Sequence, residues 1–176
     1  MRPIETGGRV YLRRPREADR EEFLSLARAS RDLHRPWVYA PETSGQFDAY
    51  LARCRMDSER CFLVCTRDDD AIVGVFNLSQ IAHGFFQSAY LGYYAFAPHA
   101  GRGLMAEGLE LVLRHAFREL KLHRLEANIQ PDNEASKRLV ERAGFRYEGY
   151  SPRYLKIGGR WRDHERWALT REAWRR

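Results

Sequence analysis

The sequence is poor in the features that would place a chain outside the globular class. Among its 176 residues it has 3 cysteines, Cys54, Cys61 and Cys65, an odd number in one short stretch and too few for a disulfide scaffold. On a strand, Cys61 and Cys65 share a face and read as small buried hydrophobes, so no disulfide is expected. The 6 histidines are scattered, with no His-x-x-x-His or Cys-x-x-Cys spacing, and no metal is expected. Long apolar runs are missing too. The longest uncharged stretch, Ala71 to His99, is broken by Gly, Asn, Gln, Ser and His, which argues against a membrane-spanning helix and against a membrane partner. The opening segment, Met1 to Pro15, has no apolar signal core; export is not expected and the chain reads as cytoplasmic. Internal repeats and low-complexity tracts are absent, leaving one domain over residues 1–176.

What is present is 44% hydrophobic and 31% charged residues, the balance of a globular protein with a core. The formal net charge is +6 with a pI near 9.5. That balance fits either a polyanionic partner or a merely basic surface.

Periodicity orders the elements. RVYLRR (Arg9 to Arg14) alternates as a short strand, broken by Pro15. READREEFLSLARASRDL places Phe23, Leu26, Ala27 and Leu33 near helical spacing. A proline-bounded loop follows from His34 to Pro41, holding Trp37 and Tyr39. A second helix starts at Ser44, whose hydroxyl can cap it, and runs through Met56. CFLVCTR and AIVGVFNLSQI form a hairpin about Asp68–Asp70, and FFQSAYLGYYAFAP is a third long strand stopped by Pro98. RGLMAEGLELVLRHAFREL is an amphipathic helix. HRLEANIQP is a strand, NEASKRLVERAG a helix closed by Gly144 at C′, and the tail a hairpin turning at Gly158-Gly159. This order gives a mixed α/β (α+β) sheet with helices on its faces, not an alternating doubly wound fold.

The chemistry concentrates at Gly101-Arg102-Gly103, where a strand runs into the long helix. Two glycines permit a tight turn and close approach of a ligand. The amides from Arg102 through Leu104, Met105 and Ala106 then stand free at the positive end of a helix dipole, a site for a diphosphate, with the Arg102 side chain adding charge. A plain tight turn would leave the same G-x-G. Further on, Asn133 and Ser136 lie at i and i+3 on the first turn of another helix and face one way; Asp132 or Asn133 could equally be a simple N-cap.

Taken together, LGYYAF, GRGLMAEGL, HRLEANIQPDNEASKRLVERAGF, YEGY and RYLKIGGRWRDHERWAL resemble the GNAT acetyltransferases, and among them the RimJ/RimL-type ribosomal-protein alanine N-acetyltransferases. The match covers Tyr90 to Leu169; the N-terminal half matches loosely, through LRRPREADREEF and the Trp37 loop. The resemblance implies a twisted, mostly antiparallel central sheet of about seven strands, splayed between the fourth and fifth, with helices on both faces. It implies acetyl-coenzyme A as co-substrate, with the pantetheine arm in the splay on backbone groups of Tyr94 and Phe96. The diphosphate loop falls on Ala100 to Met105, where Ala100 replaces a polar residue and Met105 a small one. Backbone amides of Gly103, Leu104, Met105 and Ala106 would still do the binding.

The same resemblance implies that Asn133 binds the pantetheine or sulfur end and that Ser136 protonates the leaving thiolate. A backbone N–H of Tyr93–Phe96 would hold the oxyanion. The base is open: Glu126 through a water, or else paired with Arg124 or Arg138; Asp163; or His164. The acceptor pocket would be built from Trp37, Asn77 and Tyr154, with Tyr39, Phe85, Phe86 and Tyr150 nearby. The acceptor would be a ribosomal protein N-terminus, with ribosomal RNA close by, or a small amine such as a polyamine, amino acid or antibiotic. A catalytically silent coenzyme A- or RNA-binding module is the reading from another class. The chain would act as a monomer or homodimer.

Overall fold

A computed structural model describes residues 3–174. Its centre is one 8-stranded sheet in the order β1-β2-β3-β4-β5-β6-β8-β7. The strands are β1 (Glu5–Thr6), β2 (Val10–Arg13), β3 (Arg60–Thr66), β4 (Ile72–Ala82), β5 (Ser88–Ala95), β6 (Arg124–Ile129), β7 (Arg146–Ile157) and β8 (Arg160–Thr170). The extra strand relative to the expected seven is β1, two residues long and without a readable pattern. Every neighbouring pair is antiparallel except β5 and β6.

Side-chain alternation puts a different helix layer on each face. Ala89, Leu91 and Tyr93 of β5 pack with Leu109, Val112 and Leu113 of α4 (Leu104–Arg114) and Val140 of α5 (Glu134–Arg142). Tyr94 and Phe96 pack instead with Phe23, Leu24 and Ala27 of α1 (Arg20–Ala29) and Phe47, Tyr50 and Leu51 of α3 (Ser44–Arg53). Between them lies the short α2 (Arg31–His34). After α4, a π-helical stretch at His115–Glu119 carries Ala116 and Phe117 into the core. Gly108 lets α4 lie close on the sheet: a Cβ there would sit 2.9 and 3.0 Å from the two methyls of Val64.

Three local expectations are corrected. The first helical stretch is divided into a 3-10 turn at Glu17–Asp19, α1 and α2, and Leu33 is exposed rather than core. The α3 cap is Thr43, not Ser44. Thr43 Oγ1 accepts from the Gln46 N–H at 3.4 Å, and Gln46 Oε1 accepts from the Thr43 N–H at 3.2 Å, a reciprocal pair one residue earlier. Cys54 and Cys61 form a disulfide, while Cys65 is free and buried. The turn from the end of α3 into β3 brings the two Cα atoms within 5.4 Å, a proximity that sequence spacing alone does not reveal. No helix among the described residues is long and apolar enough to cross a membrane.

Candidate active site at the sheet opening

The parallel pairing of β5 with β6 lasts only from Ser88–Arg124 through Ala89–Leu125 to Tyr90–Glu126. Beyond Tyr90 the strands part, and β5 presents backbone on its β6 side that no strand pairs. Which groups these are follows from the ladder. Phe96 N–H bonds the Val73 carbonyl on β4 at 2.8 Å, whereas the Gln87 carbonyl accepts from Arg124 N–H on the β6 side at 3.1 Å. With a period of two, Tyr94 also faces β4, and Leu91, Tyr93 and Ala95 face the opening. The expected donors, Tyr94 and Phe96, are therefore occupied within the sheet; Tyr93 and Ala95 hold that position instead. The Ala95 carbonyl accepts from buried His34 Nε2 at 2.8 Å, and burial lowers that imidazole below its usual range, so it is neutral.

One wall of the opening is the start of α5. Asn133 is its N-cap, with Oδ1 accepting from the Ser136 N–H at 3.1 Å, so the capping role weighed for Asn133 is the one its oxygen performs. Ser136 Oγ bonds the Tyr93 hydroxyl at 2.5 Å, and Tyr93 also donates to the Ser136 carbonyl at 3.3 Å. Tyr93 thus bridges from β5 to α5. Burial raises the Tyr93 pKa well above that of a free phenol, so the pair holds a proton at neutral pH. The Tyr93 side chain is a site residue that sequence reasoning missed.

At the other end, Gly101 (φ 73°) and Gly103 (φ 76°) both adopt the left-handed conformation, which L-residues resist. Gly103 is the N-cap of α4, and no side chain caps the helix. The first intrahelical bond runs from Glu107 N–H to the Gly103 carbonyl at 3.2 Å, leaving the amides of Leu104, Met105 and Ala106 without helical partners. Arg102 is exposed, with its guanidinium 3.4 Å from His99 Nδ1.

A second cation, Arg9, was not foreseen. It donates to the Arg102 carbonyl at 3.2 Å, and its Nη2 would lie 3.4 Å from a Cβ on Gly103. Glu107 anchors it through Nε at 3.0 Å and its N–H at 2.6 Å, and also accepts from Val10 N–H at 3.3 Å. The string G-L-M-x-E carried this signal, because a glutamate at N4 of α4 reaches the start of β2.

On the α1–α3 face, a groove of about 700 Å³ opens beside β4 and β5, lined by Val38, Tyr39, Tyr50, Asn77, Gly92 and Tyr94 among others. Asn77 lies where expected and accepts from Tyr50 at 3.3 Å. Trp37 does not line the groove; its carbonyl and that of Pro36 accept from Gln130 Nε2 at 3.4 Å, tying the loop to the end of β6. Tyr154 stands beside Tyr90 and packs its ring 6.3 Å from that of His164. Phe85 and Phe86 are exposed on the turn between β4 and β5, and Tyr150 is exposed on β7; none of the three lines the groove.

The base candidates separate by their partners. Glu126 stands at the last paired position, with Arg124 Nε donating to it at 2.8 Å, and Arg124 also grips Glu148. Asp163 accepts from Tyr150 and from the Arg153 N–H, and both bonds lower its pKa, that from Tyr150 most. His164 is buried, with Nδ1 2.9 Å from the Arg162 carbonyl, and burial lowers its pKa. Asp163 and His164 therefore serve the hairpin rather than pairing with each other. No cluster of metal-ligating side chains occurs among the described residues.

A family model described as acetyltransferase (GNAT) domain matches residues 9–146. The "Probable N-acetyltransferase YjcK" of Bacillus subtilis (strain 168) is 37% identical over 167 residues, covering 90% of this chain and 92% of that one. The ribosomal protein uS5-alanine N-acetyltransferase of Escherichia coli (strain K12) is 33% identical over 177 residues, covering 96% and 91%. Among solved structures, Mycobacterium smegmatis RimJ in complex with CoA-disulfide superposes with a TM-score of 0.86 at 28% identity, covering 95% of this chain and 84% of that one.

Proposed function

The chain belongs to the GNAT acetyltransferase family, and from that premise we propose that it transfers acetyl from acetyl-coenzyme A to a protein N-terminal amine, specifically the alanine of a ribosomal protein. The diphosphate sits on the amides of Leu104, Met105 and Ala106, with Arg9 and Arg102 beside it. The pantetheine arm enters the opening as a partial strand on the Tyr93 backbone and the Ala95 N–H. The neutral amine attacks the acetyl carbonyl carbon. The oxyanion takes a hydrogen bond from the backbone of β5. As the carbon–sulfur bond breaks, Ser136, oriented by the hydroxyl of Tyr93, which stays protonated, donates its proton to the thiolate, and water returns one to Ser136. The proton lost by the amine passes through water to Glu126. An α-amine has a pKa near 7.7–8.0, so a weak base suffices.

One observation carries the choice of acceptor. Among the described residues the groove's lining includes a single acid, Glu42, which Arg31 and Arg35 already engage. A polyamine needs several free carboxylates. A short apolar peptide end needs aromatic and aliphatic walls, and Val38, Tyr39, Tyr50 and Tyr94 provide them. The net charge of +6 repels a basic protein tail in isolation and favours meeting it beside RNA, in the cytoplasm. Following thiol release with acetyl-coenzyme A and equal concentrations of an alanine-initiated peptide, the same peptide blocked at its N-terminus, and spermidine tests this. Turnover with the free peptide alone is expected; faster turnover with spermidine refutes the acceptor assignment, and no release with any of the three favours a silent module.

A further inference from the structure

A second cavity, of about 170 Å³, lies where the end of β2, the 3-10 turn, the end of α3 and the start of β3 meet. It shares no lining residue with the acceptor groove. Arg14, Arg16, Arg55 and Arg60 line it together with His115, and Glu17 is the one acid among them.

The surrounding carboxylates are already engaged, at the shortest distances by cations outside the cavity, and Asp19 also by Arg16 of the lining at 3.7 Å. Arg20 holds Glu17 through Nε at 2.8 Å, Arg114 holds Glu5 at 2.7 Å, and Arg13 holds Asp19 at 2.7 Å. Arg60 is aimed by two backbone carbonyls, Asp57 at 3.0 Å and Glu59 at 2.7 Å. Arg14 and Arg55 make no hydrogen bond or ion pair through their guanidinium groups with the described residues. His115 Nδ1 is buried without a hydrogen-bond partner among the described residues; the Glu5 carboxylate is 3.8 Å away. A concave site lined by four arginines and an imidazole, with the neighbouring acids already paired, suits the oxygens of a tetrahedral dianion.

We propose that this cavity is an anion site, separate from the acetyl-coenzyme A loop, that takes a phosphate group of the free or monoester class. At about 170 Å³ the cavity has room for a phosphate and a few waters. The inference does not rest on the catalytic reading, since none of its residues belongs to the loop or the groove.

The test is calorimetric titration of inorganic phosphate at constant ionic strength, into the protein saturated with coenzyme A and into the free protein. Saturable one-site binding is expected in the saturated protein. The exposed Arg14 and Arg55 can be changed without disturbing the core. Arg14→Ala/Arg55→Ala should weaken binding at least tenfold with an unchanged unfolding temperature, while Gly103→Glu leaves it unaltered. Absence of saturable binding, or equal affinity in the double variant, overturns the proposal. Displacement of phosphate by a short RNA lacking terminal phosphates would show that the site reads a nucleic-acid backbone, and would overturn it as well.

Discussion

Replacing Ser136 by alanine separates catalysis from binding most cleanly, because the structure limits the collateral damage. Tyr93 loses its bond to Ser136 Oγ at 2.5 Å but keeps the one to the Ser136 carbonyl at 3.3 Å. The N-cap bond from the Ser136 N–H to Asn133 also survives, being backbone on the serine side. The stability cost is one neutral hydrogen bond with no orphaned donor, about 1 kcal/mol. The kinetic cost is set by the leaving group. A positioned general acid contributes about 10²–10⁴-fold. A thiol with a pKa near 8.5 is already a fair leaving group near neutrality, so the low end applies: about a hundredfold in kcat, or 2.7 kcal/mol.

Tyr93→Phe leaves the serine its own proton and removes only the hydroxyl that orients it; a smaller loss is expected, and the double variant should fall little below Ser136→Ala, since Tyr93 acts through that serine. Steady-state thiol release measures kcat, calorimetry the coenzyme A dissociation constant, and urea unfolding confirms that each variant is folded. Unchanged kcat in Ser136→Ala, or intact kcat with coenzyme A affinity lowered tenfold, would refute the role given to this serine.

Other expectations follow from packing and charge. Gly108→Ala gains about 1 kcal/mol of helix propensity but drives a methyl to within 2.9 and 3.0 Å of both Val64 methyls. Rotating a valine replaces one methyl by the other, so the overpacking cost of about 1–3 kcal/mol wins; a stabilised variant in urea unfolding would contradict the close seating of α4. Loss of hydration lowers the pKa of buried His34, His115 and His164. Below about pH 6.5 the unfolded chain therefore binds protons that the folded chain does not. Stability should fall from pH 6.5 toward 5, at no more than about 1.4 kcal/mol per pH unit per histidine, before the carboxylates titrate; a flat profile there would show that these imidazoles protonate freely in the fold.

Much of the architecture was readable because side-chain periodicity reports burial directly. The apolar positions of α4, the C′ glycine Gly144 (φ 94°) and the turn glycines Gly158 (φ 58°) and Gly159 (φ 79°) stand as the pattern implies. What periodicity does not report is which neighbour a strand faces. Period two fixes that alternate residues of β5 point their amides apart, but only the sheet order reveals that Tyr93 and Ala95, rather than Tyr94 and Phe96, turn toward the opening. Contacts between residues distant in sequence were equally hidden. Arg9 meets the loop through Glu107, Gln130 pins the Trp37 loop, and Tyr93 crosses to Ser136, each depending on tertiary placement. Density of aromatics misled where exposure decides: Phe85 and Phe86 are on an open turn.

The central claim is that the free amides at the start of α4 hold the diphosphate of coenzyme A. Calorimetric titration of coenzyme A into the wild-type protein and a folded Gly103→Glu variant tests it most directly. A carboxylate at that N-cap, on a residue forced to φ 76°, should weaken the dissociation constant at least tenfold, about 1.4 kcal/mol. Equal dissociation constants in the two proteins would contradict it.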